Sequence, residues 1–393
     1  MAGGRRRIGA RGSGIAGAAV IALLLAGCAS PSTSRGTTRP AAVTAGNPAV
    51  AASVGPLAEF LPEFFPAPVI PLDNPQTAAK AELGRHLFYD RRLSVNGTVA
   101  CATCHRQELA FSDGRARAEG ATGELHPRGA MSLANVAYSA SFAWDDPNLE
   151  SLEEQARVPM FNEHPVEMGL AGREEEVLRL LREEPVYSHA FPRAFPAQPD
   201  PFTFDNLMRA IAAFERTLIS GDSPYDRRVY GDEADALSDD AERGMDLFFS
   251  HPLGCSDCHA GFTFSGPVVF AGADERKPLF HNNGLKANYP SPNQGLKRFT
   301  GRPEDEGRFR APTLRNIALT APYMHDGSLP DLESVIEHYA RGGEGHLQQS
   351  VRVHGFTLSA ADRQDLIVFL EALTDRAFVE NPAYGNPWPE ASR

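Results

Sequence analysis

The sequence predicts a mainly α protein built as two similar halves, each wrapped around one covalently attached prosthetic group. Three observations carry that expectation. The pentapeptide Cys-x-x-Cys-His occurs twice, as Cys101-Ala102-Thr103-Cys104-His105 and Cys255-Ser256-Asp257-Cys258-His259. The sequence around it repeats, and the flanking segments carry helical periodicity. Cys-x-x-Cys-His is the attachment site of a c-type haem: both thiols add to the vinyl groups, and the histidine is held against the iron. A zinc knuckle would usually need two more Cys or His at matching spacing. A disulfide leaves the histidine after each Cys pair unexplained. The chain is therefore expected to carry two haem c groups and to do redox chemistry.

The repeat justifies the elements in order. Glu82-Leu83-Gly84-Arg85-His86-Leu87-Phe88 precedes the first motif and Glu242-Arg243-Gly244-Met245-Asp246-Leu247-Phe248 the second; each reads as the last turns of an amphipathic helix. Met131 to Ala137 lines up with Pro312 to Ala318, which places Trp144 opposite His325 and Asp145 opposite Asp326. After one lost residue, Leu152-Glu153 falls opposite Leu332-Glu333. Ser359 to Asp375 has an N-terminal cap and an apolar stripe of Leu366, Ile367, Phe369, Leu370 and Leu373, as a closing helix requires. Each half thus reads as a small helical cytochrome c-like domain with long loops, over 71–236 and 237–380. A Pro-rich tail, 381–393, contains Trp388 and is expected to be disordered. The same register sets Tyr339 opposite Pro159. Tyrosinate is a known haem ligand, whereas proline has no side-chain donor. If this position faces the iron, the second haem is His259/Tyr339 and the first is His105 with an open face. Otherwise Tyr339 is a core aromatic on a helix from Leu332.

The N-terminus places the chain. Arg5, Arg6, Arg7 and Arg11 precede an apolar run from Ile15 to Leu25, too short to span a bilayer, and then Leu25-Ala26-Gly27-Cys28. This has the form of a lipoprotein signal over 1–27, with Cys28 lipidated and a flexible tether over 28–70. Of five Cys, four serve haem and Cys28 is left for the lipid. The alternative is an ordinary cleaved signal with a stray Cys. Removing residues 1–27, with four Arg and no acidic residue, takes the formal net charge from −12 to −16. That charge argues against nucleic-acid partners and favours a basic or locally basic protein partner. The expected location is the periplasmic side of a bacterial envelope, lipid-anchored, on the outer membrane.

These residues resemble the bacterial di-haem cytochrome c peroxidase and MauG superfamily, over about residues 75 to 375. The resemblance rests on Leu83-Gly84…Leu87-Phe88, Leu93-Ser94, Ser151 to Ala156, Pro165-Val166-Glu167-Met168-Gly169, and Leu319 to Gly327. Tyr339 at the second-haem ligand position favours the MauG and MbnH-like branch. The resemblance implies a high-valent two-haem state formed with hydrogen peroxide, used to oxidise a Trp or Tyr of a partner protein. It implies Glu167 as distal acid–base, Gln155 as distal-side partner and Trp144 as the relay between haems. It also implies a bridging calcium at Asn135, Thr320 and Pro322. Gln155 and Glu167 stand twelve residues apart, where the family pattern is nearer ten, so Glu163 competes for the acid–base role. His126 lies near the place of a removable first-iron ligand but is read as a loop histidine. The rival expectation is a peroxidase fed by a small c-type cytochrome, with Met324 as second-haem ligand. A third is a tethered electron carrier with two closed irons.

Overall fold

The computed structural model describes residues 54–273 and 277–389. The expected signal peptide, Cys28 and the tether as far as residue 53 lie outside the described residues. Six helices position the haem motifs: α1 (Ala78–Phe88), α2 (Leu152–Phe161), α3 (Phe204–Glu215), α4 (Asp239–Phe248), α5 (Leu332–Ala340) and α6 (Ala360–Glu371). Each starts where the sequence supplies a cap. Thr77, Ser151, Thr203, Ser238, Asp331 and Ser359 accept a hydrogen bond from the backbone N–H three residues on. Each bond satisfies a donor that the first helical turn would leave unpaired. Around these helices run short helices and long loops. One small antiparallel ladder pairs β1 (Phe280–His281) with β2 (Phe309–Arg310), Phe280 opposite Arg310 and His281 opposite Phe309.

The two halves are built on the same crossing. Helix α1 packs on α3, and α4 packs on α6. A glycine lets the backbones touch at each: a Cβ on Gly84 would lie 1.9 Å from the Ala210 carbonyl oxygen, and one on Gly244 would lie 1.9 Å from that of Asp365. Aromatic packing repeats around the crossings. Phe88 lies 5.2 Å from Phe214 and 6.1 Å from Phe111 between ring centroids; Phe248 lies 5.3 Å from Phe369 and 5.8 Å from Phe264. The stripe foreseen on α6 is buried at Leu366, Phe369 and Leu370, with Leu373 just beyond its end.

A buried polar network joins the halves. Asn135 and Asn316 hold equivalent left-handed positions, φ 59° and 61°. Asn135 Oδ1 accepts from Ser220 N at 2.9 Å, and Asn316 Oδ1 accepts from Asp375 N at 2.8 Å. Asn316 Nδ2 donates to Ser220 Oγ at 3.0 Å, and Ser220 Oγ donates to Asp375 Oδ2 at 3.2 Å. Asn316→Ala orphans a buried donor and a buried acceptor, each worth about 1–3 kcal/mol. It is expected to lower the thermal unfolding midpoint, measured on the haem-loaded protein, without altering either haem spectrum.

The tail departs from its expectation of disorder. Trp388 Nε1 donates to the His86 carbonyl at 3.0 Å, its ring meets Tyr187 edge-on at 5.8 Å, and the Arg92 guanidinium sits 4.7 Å above it. A large apolar ring with one satisfied N–H and a cation over its face holds the segment down, despite its prolines.

Two candidate haem pockets

Both Cys-x-x-Cys-His motifs are poised for haem. The thiols of Cys101, Cys104, Cys255 and Cys258 are free. His105 Nδ1 bonds the Phe111 carbonyl at 2.8 Å, and His259 Nδ1 bonds that of Phe264 at 3.0 Å. A carbonyl accepts only, so Nδ1 carries the proton and Nε2 keeps its lone pair for an iron. Phe111 and Phe264 reach this arrangement with φ of 61° and 53°. The left-handed turn aims their carbonyls back at the imidazole. Each histidine lines a cavity of its own.

The first cavity gathers His105 from the haem motif, Gln155 and Pro159 from α2, and Glu167 from the loop after it. Pro159 sits inside α2, where its ring removes a helix hydrogen bond and presents no donor. Glu167 is pushed up to about 7 by burial. Glu163, its rival, is exposed and does not line the cavity. His126, read from the sequence as a loop histidine, does face this cavity. Burial and the Arg128 charge push it down to about 4, which leaves it neutral. Two residues here escaped the sequence reading. Glu215, 5% exposed, lines the first cavity, and the repeat would have found it by setting α3 on α6. Ile211 of α3 also faces in.

The second cavity, about 230 Å³, brings together His259, Tyr339 and Met324. Asn283 Nδ2 lies 3.3 Å from Tyr339 Oη and 3.3 Å from Met324 Sδ, so both candidate ligands meet one amide. Burial pushes the Tyr339 phenol up to about 12. Trp144 is on this wall, its Nε1 donating to the Gly129 carbonyl at 3.0 Å. Ser112, Asp113 and Arg115, just after the first motif, line the same wall. The segment leaving the first haem motif therefore borders the second pocket.

Arg310, also missed in the sequence, faces the second cavity. It donates to the Ser141 carbonyl and Met131 Sδ, and burial pushes it down to about 10. Its buried Nε has no acceptor, and none of its hydrogen bonds is to a carboxylate. A buried cation needs an anion, which the carboxylates of a haem would provide. Free thiols, oriented imidazoles, apolar walls and this cation all fit haem c. The calcium set does not fit. Asn135 is 2% exposed, and its amide is spent on the Ser220 backbone at both ends; it lines neither cavity. Thr320 and Pro322 line the second cavity.

Two haem c pockets on paired helix crossings, one walled by proline and acid and the other by tyrosine, define a di-haem c-type oxidoreductase. Residues 78–234 match the model of the di-haem cytochrome c peroxidase family. The chain is 36% identical to the methylamine utilization protein MauG of Methylorubrum extorquens over 319 residues, 79% of this chain and 82% of that one. It is 33% identical to the cytochrome c551 peroxidase of Pseudomonas aeruginosa, over 77% of this chain and 81% of that one. The crystal structure of a MauG-like protein associated with microbial copper homeostasis superposes with a TM-score of 0.81 at 40% identity, covering 84% of this chain and 99% of that one. The chain belongs to the di-haem cytochrome c peroxidase family, and is a haem-dependent oxidoreductase acting on peroxide.

Proposed function

We propose that the chain is an exported di-haem enzyme that reacts with hydrogen peroxide at the His105 pocket and oxidises a Trp or Tyr residue of a partner protein. The observation that carries this is the inequality of the two walls: Pro159, Gln155 and Glu167 at one, Tyr339 at the other. Haem, when bound, supplies the irons that take up oxidising equivalents from peroxide. Pro159 keeps the first face open because it offers nothing to ligate. Glu167 takes the proton from one peroxide oxygen and returns it to the other, so that water leaves. Gln155 bonds the oxygen that stays. Tyr339 would hold the second haem's iron, giving up on ligation the proton that burial keeps on the free phenol, and a tyrosinate there would favour a high oxidation state. Trp144, on the wall near the first motif, lies on the route by which the two pockets share charge. The first half, 71–236, is the peroxide-reactive part and the second, 237–380, the electron-transfer part.

The signal sequence and Cys28 put the enzyme on the periplasmic side of the envelope, held by a lipid at the outer membrane. Among the described residues no helix is long and apolar enough to cross a membrane. Its surface charge suits a locally basic protein substrate.

A second reading, peroxide reduction with electrons from a small c-type cytochrome, is favoured by Met324 standing beside Tyr339 in the second cavity. Two substitutions separate them. Tyr339→Phe is expected to change the spectrum and lower the ligand number of the second ferric haem, and Met324→Leu to leave both alone. The reverse pattern, together with rapid turnover of a reduced cytochrome, would install the second reading. Peroxide added to the diferric protein should also give a long-lived oxidised state without prior reduction.

A further inference from the structure

The two pockets differ at one more pair of equivalent positions. Gly84 meets Ala210 and Phe214 on α3, and Gly244 meets Asp365 and Phe369 on α6. That register sets Ile211 opposite Leu366 and Glu215 opposite Leu370, and all four side chains line their cavities. Likewise Gln155 on α2 stands opposite Val335 on α5, and both line their cavities. At the second pocket these positions are apolar. At the first, Ile211 is apolar too, but the other two are an amide, Gln155, and an acid, Glu215. The acid is 5% exposed, and its Oε2 has no donor in the protein. An unsatisfied buried carboxyl oxygen costs about 1–3 kcal/mol. At the equivalent place on the second crossing the chain uses Leu370, so the crossing itself does not call for an acid.

We propose that Glu215 is the inner proton-holding residue of the first pocket, giving the protons that turn peroxide oxygen into water. The inference rests on the peroxide chemistry proposed above. Reduction of one hydrogen peroxide to two waters takes two electrons, from the oxidised substrate, and two protons. Glu167 only moves a proton already on the peroxide. Glu215 adds one, takes a replacement from solvent, and adds the second. Beside it, Arg216 Nη2 donates to both oxygens of Glu153 at 2.8 Å, and Asn74 Nδ2 donates to Glu153 Oε1 at 2.6 Å. The Glu153 side chain is 18% exposed, so the cluster beside Glu215 reaches solvent.

The charged groups acting on Glu215 are known from each side. Burial raises it, Arg216 lowers it and Glu153 raises it, to about 8. Lys80 faces Arg216 and Glu153 from α1. Cys101 and Glu167 border the same cavity; burial keeps the thiol neutral, and as a thioether to haem it no longer titrates. Glu215 is thus protonated at neutral pH and gives its proton up above about pH 8.

The test is the pH dependence of peroxide turnover by the haem-loaded protein with a reducing substrate in excess. Wild type should lose rate above about pH 8. Glu215→Gln keeps the shape but not the proton; it should cut turnover by about 10- to 100-fold, abolish that limb, and leave the resting spectra of both haems unchanged. Glu215→Asp should restore a limb. An unaltered rate and limb in Glu215→Gln, or no limb between about pH 7 and 9 in wild type, overturns the proposal. If Glu215→Gln does not load haem, the wild-type limb and the aspartate variant decide. Absence of any peroxide reaction in wild type would instead overturn the functional reading beneath it.

Discussion

Glu167→Gln is expected to slow the reaction with hydrogen peroxide by about 10²- to 10⁴-fold, with both haems attached and their resting spectra unchanged. Glutamine keeps the volume and a hydrogen bond but cannot accept a proton. Glu167 lines the first cavity, and burial holds it at about 7, so the carboxylate and the acid coexist near neutral pH. The sign follows from the role: the carboxylate is the form that accepts. The rate should fall as pH drops below about 7, and glutamine should remove that dependence. The outer neighbour is the control. Glu163 is exposed and lines neither cavity, so Glu163→Gln should react at close to the wild-type rate. Stopped-flow mixing of each variant with peroxide measures both. A slow Glu163→Gln and a fast Glu167→Gln would exchange the roles.

Gly244→Val is expected to abolish accumulation of folded, haem-loaded protein, and Gly84→Val to do the same through the first half. A Cβ at either position would lie 1.9 Å from a backbone oxygen of the crossing helix, not from a side chain that could turn away. The helices would have to separate, which opens the packing of Phe248 on Phe369 or Phe88 on Phe214. Overpacking against side chains costs about 1–3 kcal/mol. A backbone-on-helix clash belongs with the rarer losses above about 4 kcal/mol. Haem-stained gels of whole-cell lysates measure the yield, and normal yield from either valine variant would show that the crossings can relax.

Much of the site is legible in the sequence, because its chemistry is written as local spacing. Cys101, Cys104 and His105 act within one turn, and so do Cys255, Cys258 and His259; no tertiary contact is needed to recognise them. The repeat adds the comparison of Pro159 with Tyr339, since both sit at one register of equivalent helices. Caps at Thr77, Ser238 and Ser359 are local signals too.

What the sequence leaves open is what depends on which oxygen or charge faces which void. The sequence reading favours Glu167 and leaves Glu163 as its competitor; burial puts Glu167 on the wall and leaves Glu163 in solvent. Asn135 has the right donor for a cation, but chain segments more than eighty residues apart bring Ser220 to both ends of its amide. Trp388 has a composition typical of a loose tail, and only the groove formed by His86, Arg92 and Tyr187 gives its ring a place. Arg310 and Glu215 carry no motif at all. They matter because folding leaves one cation without a carboxylate and one carboxyl oxygen without a donor beside a haem pocket. The sequence by itself determined that there are two haem attachment sites, because covalent attachment and the first histidine ligand follow short spacing. Only the tertiary structure decided which acids stand at the first pocket, because burial and hydrogen-bond satisfaction belong to surfaces assembled from distant parts of the chain.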